Sequence, residues 1–199
     1  MKATCGQTDP REERMQGGPV RHTSPVWWMT MAMENDSIQF SSLFRPSEVI
    51  CQTQETDRDK ILMDMLRLLA RERGVENIDE AFRAVLEREK DLPTIVAPGM
   101  AMPHARIEAV REIVISVATS RQGIVYDPRR PDDRIKLLVL TLAPKTSPGA
   151  YLQTIGCVAR ICRDPSTAEV VSSLPTADRV WSFFDKGGMA SPDHPKAAT

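Results

Sequence analysis

Cysteine is scarce and unpatterned in this chain. Its 199 residues hold four, Cys5, Cys51, Cys157 and Cys162, with no Cys-x-x-Cys pair and no histidine neighbour. That excludes a disulfide framework and a zinc site, and it points to reduced thiols in a cytoplasmic protein. Cys157 and Cys162 lie five apart, on different sides of a helix, and read as small buried apolar residues. A basic excess is missing as well: 26 Lys and Arg stand against 27 Asp and Glu, so nucleic acid is not an expected partner. Long apolar runs are absent. The words VWWM at 26–29 and LLVLTLA at 137–143 are too short to span a bilayer, and no apolar stretch follows a basic start as in a secretory signal. Histidine is rare too. Of three, His22 and His194 sit in segments without apolar periodicity, which leaves His104.

What is present is one domain's worth of patterned chain, with 41% hydrophobic residues to build a core. Residues 1–36 mix Gly, Pro, Arg, Thr and Gln without period, around Trp27-Trp28 and Met29, Met31 and Met33; they read as a disordered arm or an over-extended start. Residues 187–199 read as a flexible tail, and 37–186 as the domain. Within it, 43–52 reads as an entry strand broken by Pro46. Thr56 and Asp57 offer caps for a helix carrying Ile61, Leu62, Met65, Leu66, Leu68 and Leu69 and ending near Gly74. Asn77 with Glu80 opens a second helix, whose face is Ile78, Ala81, Phe82, Val85 and Leu86 and which stops before Pro93. Short extended pieces at 94–97 and 99–102 flank a Pro98-Gly99 turn. The alternation at 112–119 reads as a strand, and the continuous apolar run at 135–143 as a strand buried on both faces. Helical spacing returns at 148–163, followed by short helices at 166–173 and 176–185, where Trp181, Phe183 and Phe184 read as core. The order implies an α/β domain, a mixed β-sheet flanked by helices in layers.

The most restrictive stretch is Gly99-Met100-Ala101-Met102-Pro103-His104-Ala105-Arg106. Imidazole is the side chain whose ordinary pKa leaves it a neutral nucleophile at cytoplasmic pH. A histidine that takes up a phosphoryl group needs one fixed tautomer and donors for the phosphoryl oxygens, and its ring is expected on an open surface. Gly99 would free the backbone for such donors, Pro103 fixes the chain before His104, and Ala101 and Ala105 keep bulk away. Arg88 and Arg106 are the nearby cations.

Those residues resemble the type-2 (fructose, mannitol and nitrogen-regulatory) enzyme IIA domain of the bacterial phosphoenolpyruvate-dependent phosphotransferase system. The matching string is Glu89, then Val96-Ala97, then Met100-Ala101-Met102-Pro103-His104-Ala105, preceded by Arg88-Glu89-Lys90; the likeness extends over 37–186. The resemblance implies a phosphocarrier. His104 would accept a phosphoryl group from the phosphohistidine of HPr and pass it to an enzyme IIB partner, with Arg88 beside it and no cofactor or metal. It equally allows a nitrogen-type regulatory phosphoprotein that binds a target according to its phosphorylation state. A degenerate module that is never phosphorylated is a third reading. Three features depart from the family pattern. The loop reads Val96-Ala97-Pro98-Gly99 where relatives often have Gly-Asn-Gly. Tyr151 stands where relatives carry a second histidine, and a Pro-rich insertion, Tyr126 to Pro131, occupies a strand connection.

Overall fold

Local chemistry sets the two helices that flank the site. In the computed structural model, which describes residues 39–187 apart from 92, 162 and 163, the Asp57 carboxylate accepts the N–H groups of Asp59 (2.9 Å) and Lys60 (3.0 Å) and opens helix α1, Arg58–Arg73. Gly74 closes it in the left-handed region at φ 68°, as a C-terminal cap requires. Asn77 accepts the Glu80 N–H at 3.0 Å and donates to the Glu80 carboxylate at 3.3 Å, starting α2, Ile78–Asp91. The expected arm, with Cys5, Trp27 and Trp28, and the expected tail beyond Gly187 lie outside the described residues, as does Cys162.

Six strands form one mixed sheet: β1 Val49–Ile50, β2 Ile95–Ala97, β3 Met100–Ala101, β4 His104–Ile107, β5 Val114–Val125 and β6 Arg134–Pro144. β6 is its spine. It pairs antiparallel with β5 on one side; on the other it pairs parallel with β3 and then with β4. β1 adds in parallel outside β5, and β2 antiparallel outside β3. Helices α3 Pro148–Ile161, α4 Thr167–Ser173 and α5 Ala177–Asp185 follow β6.

The side-chain alternation of β6 divides the core. Leu138, Leu140 and Leu142 join Leu62, Leu66 and Val85 beneath α1 and α2, while Leu137 and Val139 join Val158, Val171, Val180 and Phe184 on the opposite face. The result is the expected layering, helices on both sides of a sheet whose central strand is buried on both faces. Trp181 is half-buried and donates its indole N–H to the carbonyls of Ser41 and Phe44, both at 3.0 Å, and Phe184 stacks edge-on against Phe40. Cys157 is buried, as its residue type led us to expect.

Three expectations change. The entry segment is not a broken strand. It forms 3-10 turns at Phe40–Leu43 and Pro46–Glu48, and only Val49 and Ile50 pair with the sheet. Pro46 lacks a ladder donor, and the Glu48 carboxylate folds back onto the Arg45 N–H at 2.8 Å. The second change is in β5, which runs to Val125, past the alternation, because a register shift between Thr119 and Ile124 carries it on. Third, residues after Pro103 form the strand β4, for which four residues carry no readable period.

Candidate active site

His104 opens β4 and is held from both directions. Its backbone partner across the sheet is Thr141, whose N–H also donates to the Pro103 carbonyl at 3.0 Å. Its Nδ1 lies 2.8 Å from the Met102 carbonyl oxygen. A carbonyl can only accept, so Nδ1 carries the proton and Nε2 keeps its lone pair. The residue is 7% exposed, which corrects the expectation of an open surface: among the described strands β4 pairs with β6 alone, but α2 packs over it, and His104 forms part of a recess.

That recess is a cavity of about 460 Å³ lined by Ala84, Arg88, His104, Ala105, Arg106, Lys145 and Tyr151. Arg88 comes from the last turns of α2, Arg106 from β4, Lys145 from the residue after β6, and Tyr151 from the first turn of α3. Ala84, one turn before Arg88, leaves room beside α2. The Tyr151 ring centroid is 5.9 Å from that of His104, and the Arg106 guanidinium lies 5.7 Å from the Tyr151 centroid in a cation–π contact. Three cations and no carboxylate line the cavity; Glu108 approaches only from outside, pairing with Lys145 at 3.2 Å.

Electrostatics keep the imidazole neutral. Burial is the main cause that holds the His104 pKa below its ordinary value; Arg88 adds to it, and the Met102 hydrogen bond and Glu89 oppose it. Burial raises the Tyr151 pKa against the pull of Arg88 and Arg106, so the phenol remains a hydrogen-bond donor. The site therefore combines a neutral nucleophile of one tautomer with a ring of positive charge, an arrangement suited to a doubly charged anionic group.

The structure brings together four of the five residues singled out from sequence: His104, Arg88, Arg106 and Tyr151. Gly99 is not among the lining residues, and the reading of it as a phosphoryl-binding loop gives way to a turn. At φ 73° it joins β2 to β3; its carbonyl accepts from Lys136 (2.7 Å) and Leu137 (3.0 Å), and a Cβ there would meet the Ala168 Cβ at 3.2 Å. Lys145 was not legible. It reaches the site because β4 and β6 run in parallel to the pair Ile107 and Pro144, which places the end of β6 beside the end of β4. Among the described residues, no three His, Cys, Asp or Glu side chains are placed to hold a metal ion.

Residues 42–187 match the family model described as phosphoenolpyruvate-dependent sugar phosphotransferase system, EIIA 2. The chain belongs to this family. It is a component of EIIA type, from a family of phosphocarriers of the phosphotransferase system. It is 32% identical over 120 residues to the fructose-specific EIIA component of Haloferax volcanii, covering 60% of this chain and 77% of the relative. It is 25% identical over 137 residues to a nitrogen regulatory protein of Bradyrhizobium diazoefficiens, covering 69% and 89%. A chain of the solved complex of enzyme IIAMtl and phosphorylated enzyme IIBMtl from Escherichia coli superposes with a TM-score of 0.59 at 20% identity, covering 70% of this EIIA chain and 95% of the other. That last likeness is one of fold. Among the described residues, no helix of this EIIA domain is long and apolar enough to cross a membrane.

Proposed function

We propose that this EIIA domain carries a phosphoryl group on Nε2 of His104, taking it from the phosphohistidine of HPr and handing it to an enzyme IIB in sugar uptake at the cytoplasmic side. The observation that supports this most is the Nδ1 contact with the Met102 carbonyl inside a cavity ringed by Arg88, Arg106 and Lys145. In the accepting step the Nε2 lone pair attacks phosphorus. The donor's P–N bond breaks, and its electron pair returns to the donor ring. The positive charge that develops on the His104 ring is carried through Nδ1–H to the Met102 carbonyl, while the cations take the phosphoryl oxygens. Handing on reverses the roles, with a side chain of the IIB partner as nucleophile. The fructose-specific relative supports the transport reading. The nitrogen regulatory relative, 25% identical over 137 residues, favours a second one, in which the phosphorylated and unphosphorylated forms bind a target protein differently. Labelling with phosphorylated HPr tests the shared step; affinity capture of a target by one form alone separates the two readings.

The pH dependence follows from the sign of the His104 shift. With its pKa held low by burial, the ring is unprotonated throughout the neutral range, so the rate of labelling should be flat between pH 7 and 8 and fall only below about 6.5, the ordinary imidazole value. Stability should follow the same direction. Protonation is easier in the unfolded chain, so the contribution from a neutral His104 is complete above about pH 6.5 and is lost as pH falls through the lower folded value. Stopped-flow labelling and denaturant titration across pH check both; a rate still rising between pH 7 and 8 contradicts the neutral ring.

Tyr151→Phe should still accept label, with a rate reduced no more than about tenfold, because a neutral hydrogen bond contributes about 0.5–1.5 kcal/mol. Loss of labelling in this variant would make the phenol essential.

A further inference from the structure

An unbroken run of hydrogen bonds joins His104 to a buried carboxylate that the transfer chemistry does not touch. From the ring, Nδ1–H donates to the Met102 carbonyl at 2.8 Å, and the Met102 N–H donates to the Thr94 carbonyl at 2.9 Å. The Thr94 N–H then donates to Glu89 Oε2 at 2.7 Å, and the Thr94 hydroxyl to Glu89 Oε1 at 2.5 Å. The Tyr126 hydroxyl closes the far end, donating to Glu89 Oε2 at 2.8 Å. Glu89 is 1% exposed and Tyr126 0%. A carboxylate so deeply buried loses its hydration, a loss that these three donors must offset.

Met102 needs that support. Only Ile95 with Ala101 and Ala97 with Met100 pair between β2 and β3, and the register shifts between them. Met102 lies just beyond the end of β3, and Pro103, next in the chain, has no N–H to tie it to a neighbour. The carbonyl that selects the His104 tautomer therefore depends on Thr94, and Thr94 is clamped at two atoms by Glu89. Glu89 and Arg88 are consecutive on α2, so the helix sends one side chain to the cavity and the next into the buried clamp.

We propose that Glu89 is the positioning residue for His104: by clamping Thr94 it sets Met102, and Met102 sets the tautomer that leaves Nε2 free. This rests on the phosphocarrier reading for its purpose, though not for its geometry. Glu89 also acts on the ring through space, opposing the effect of Arg88. The other charged or titratable groups around His104 are Arg106, Lys145 and Tyr151.

The test uses the full chain, unphosphorylated, with nitrogen NMR of the His104 imidazole read across pH, alongside labelling by phosphorylated HPr. Wild type should show one tautomer with the proton on Nδ1. Glu89→Ala should show a mixture, with labelling slowed about tenfold, the equivalent of one lost hydrogen bond. Glu89→Gln, which retains an acceptor for the Thr94 N–H, should recover the tautomer while its His104 titrates at lower pH. Arg73→Ala, which weakens the fold elsewhere, should retain the wild-type imidazole spectrum. A single Nδ1–H tautomer and an unchanged rate in folded Glu89→Ala overturn the proposal. If that variant does not fold, Glu89→Asp decides, since the shorter side chain retains the charge but cannot span both Thr94 and Tyr126; a wild-type spectrum there also overturns it. Should wild type take no label, the phosphocarrier reading fails and the NMR result still decides the role of Glu89.

Discussion

The His104→Ala protein should take up no phosphoryl group from phosphorylated HPr and should still fold. The variant removes the nucleophile while sparing the cationic ring, so Arg88, Arg106 and Lys145 still attract the donor but nothing attacks. Its cost in stability is small, although His104 is buried, since one hydrogen bond to Met102 is lost and the missing atoms enlarge a recess already open to water. About 1–2 kcal/mol is expected, the net value of a hydrogen bond with some desolvation of the orphaned carbonyl. In wild type the label should be lost in acid and survive base, as a phosphoramidate does. Mass spectrometry of labelled wild type should place it at 104. Label on His104→Ala at the wild-type level would sink the carrier reading.

The largest structural effect is expected far from the cavity. Arg73→Ala should lower the unfolding free energy by about 3–5 kcal/mol, the range for removing one partner of a buried ion pair. Glu48 is completely buried, and Arg73 at the end of α1 pairs with both of its oxygens. Its remaining support is the Arg45 N–H. Arg73 also reaches Glu112 at 3.1 Å, so the same side chain ties the entry segment to α1 and to the loop before β5. Urea unfolding checks the size. The double variant Glu48→Met/Arg73→Met should recover most of the loss, because it leaves no unpaired charge; failure to recover would mean that packing of the long side chains, and not charge, makes the difference.

The parts of the molecule that were legible in the sequence are those decided within a few residues. Asp57, Gly74 and Asn77 mark the helix ends by their own hydrogen-bonding or conformational chemistry, and β6 is apolar on both faces because both faces are covered. The string around His104 was legible for a different reason, its likeness to a family. What stayed hidden depends on distant pairing. Lys145 joins the site through the β4–β6 register, 37 residues from its Glu108 partner. Tyr126 looked like the start of a loop insertion and is instead a buried clamp 37 residues from Glu89. Gly99 misled because a hairpin turn and a phosphate-cradling loop ask for the same backbone freedom. The burial of His104 was hidden because it follows from α2 packing over β4, a distant pairing that no short stretch of sequence announces.

The cavity between α2 and α3 has a kinetic consequence. His104 meets solvent through the recess bounded by Arg88, Arg106, Lys145 and Tyr151, so under the proposed carrier function the protein that delivers the phosphoryl group must cover the same rim as the one that removes it. Donor and acceptor then exclude each other. Turnover should follow a double-displacement pattern with parallel lines in reciprocal plots, each protein inhibiting competitively against the other at high concentration, and the configuration at phosphorus should be inverted at each transfer and retained over the pair.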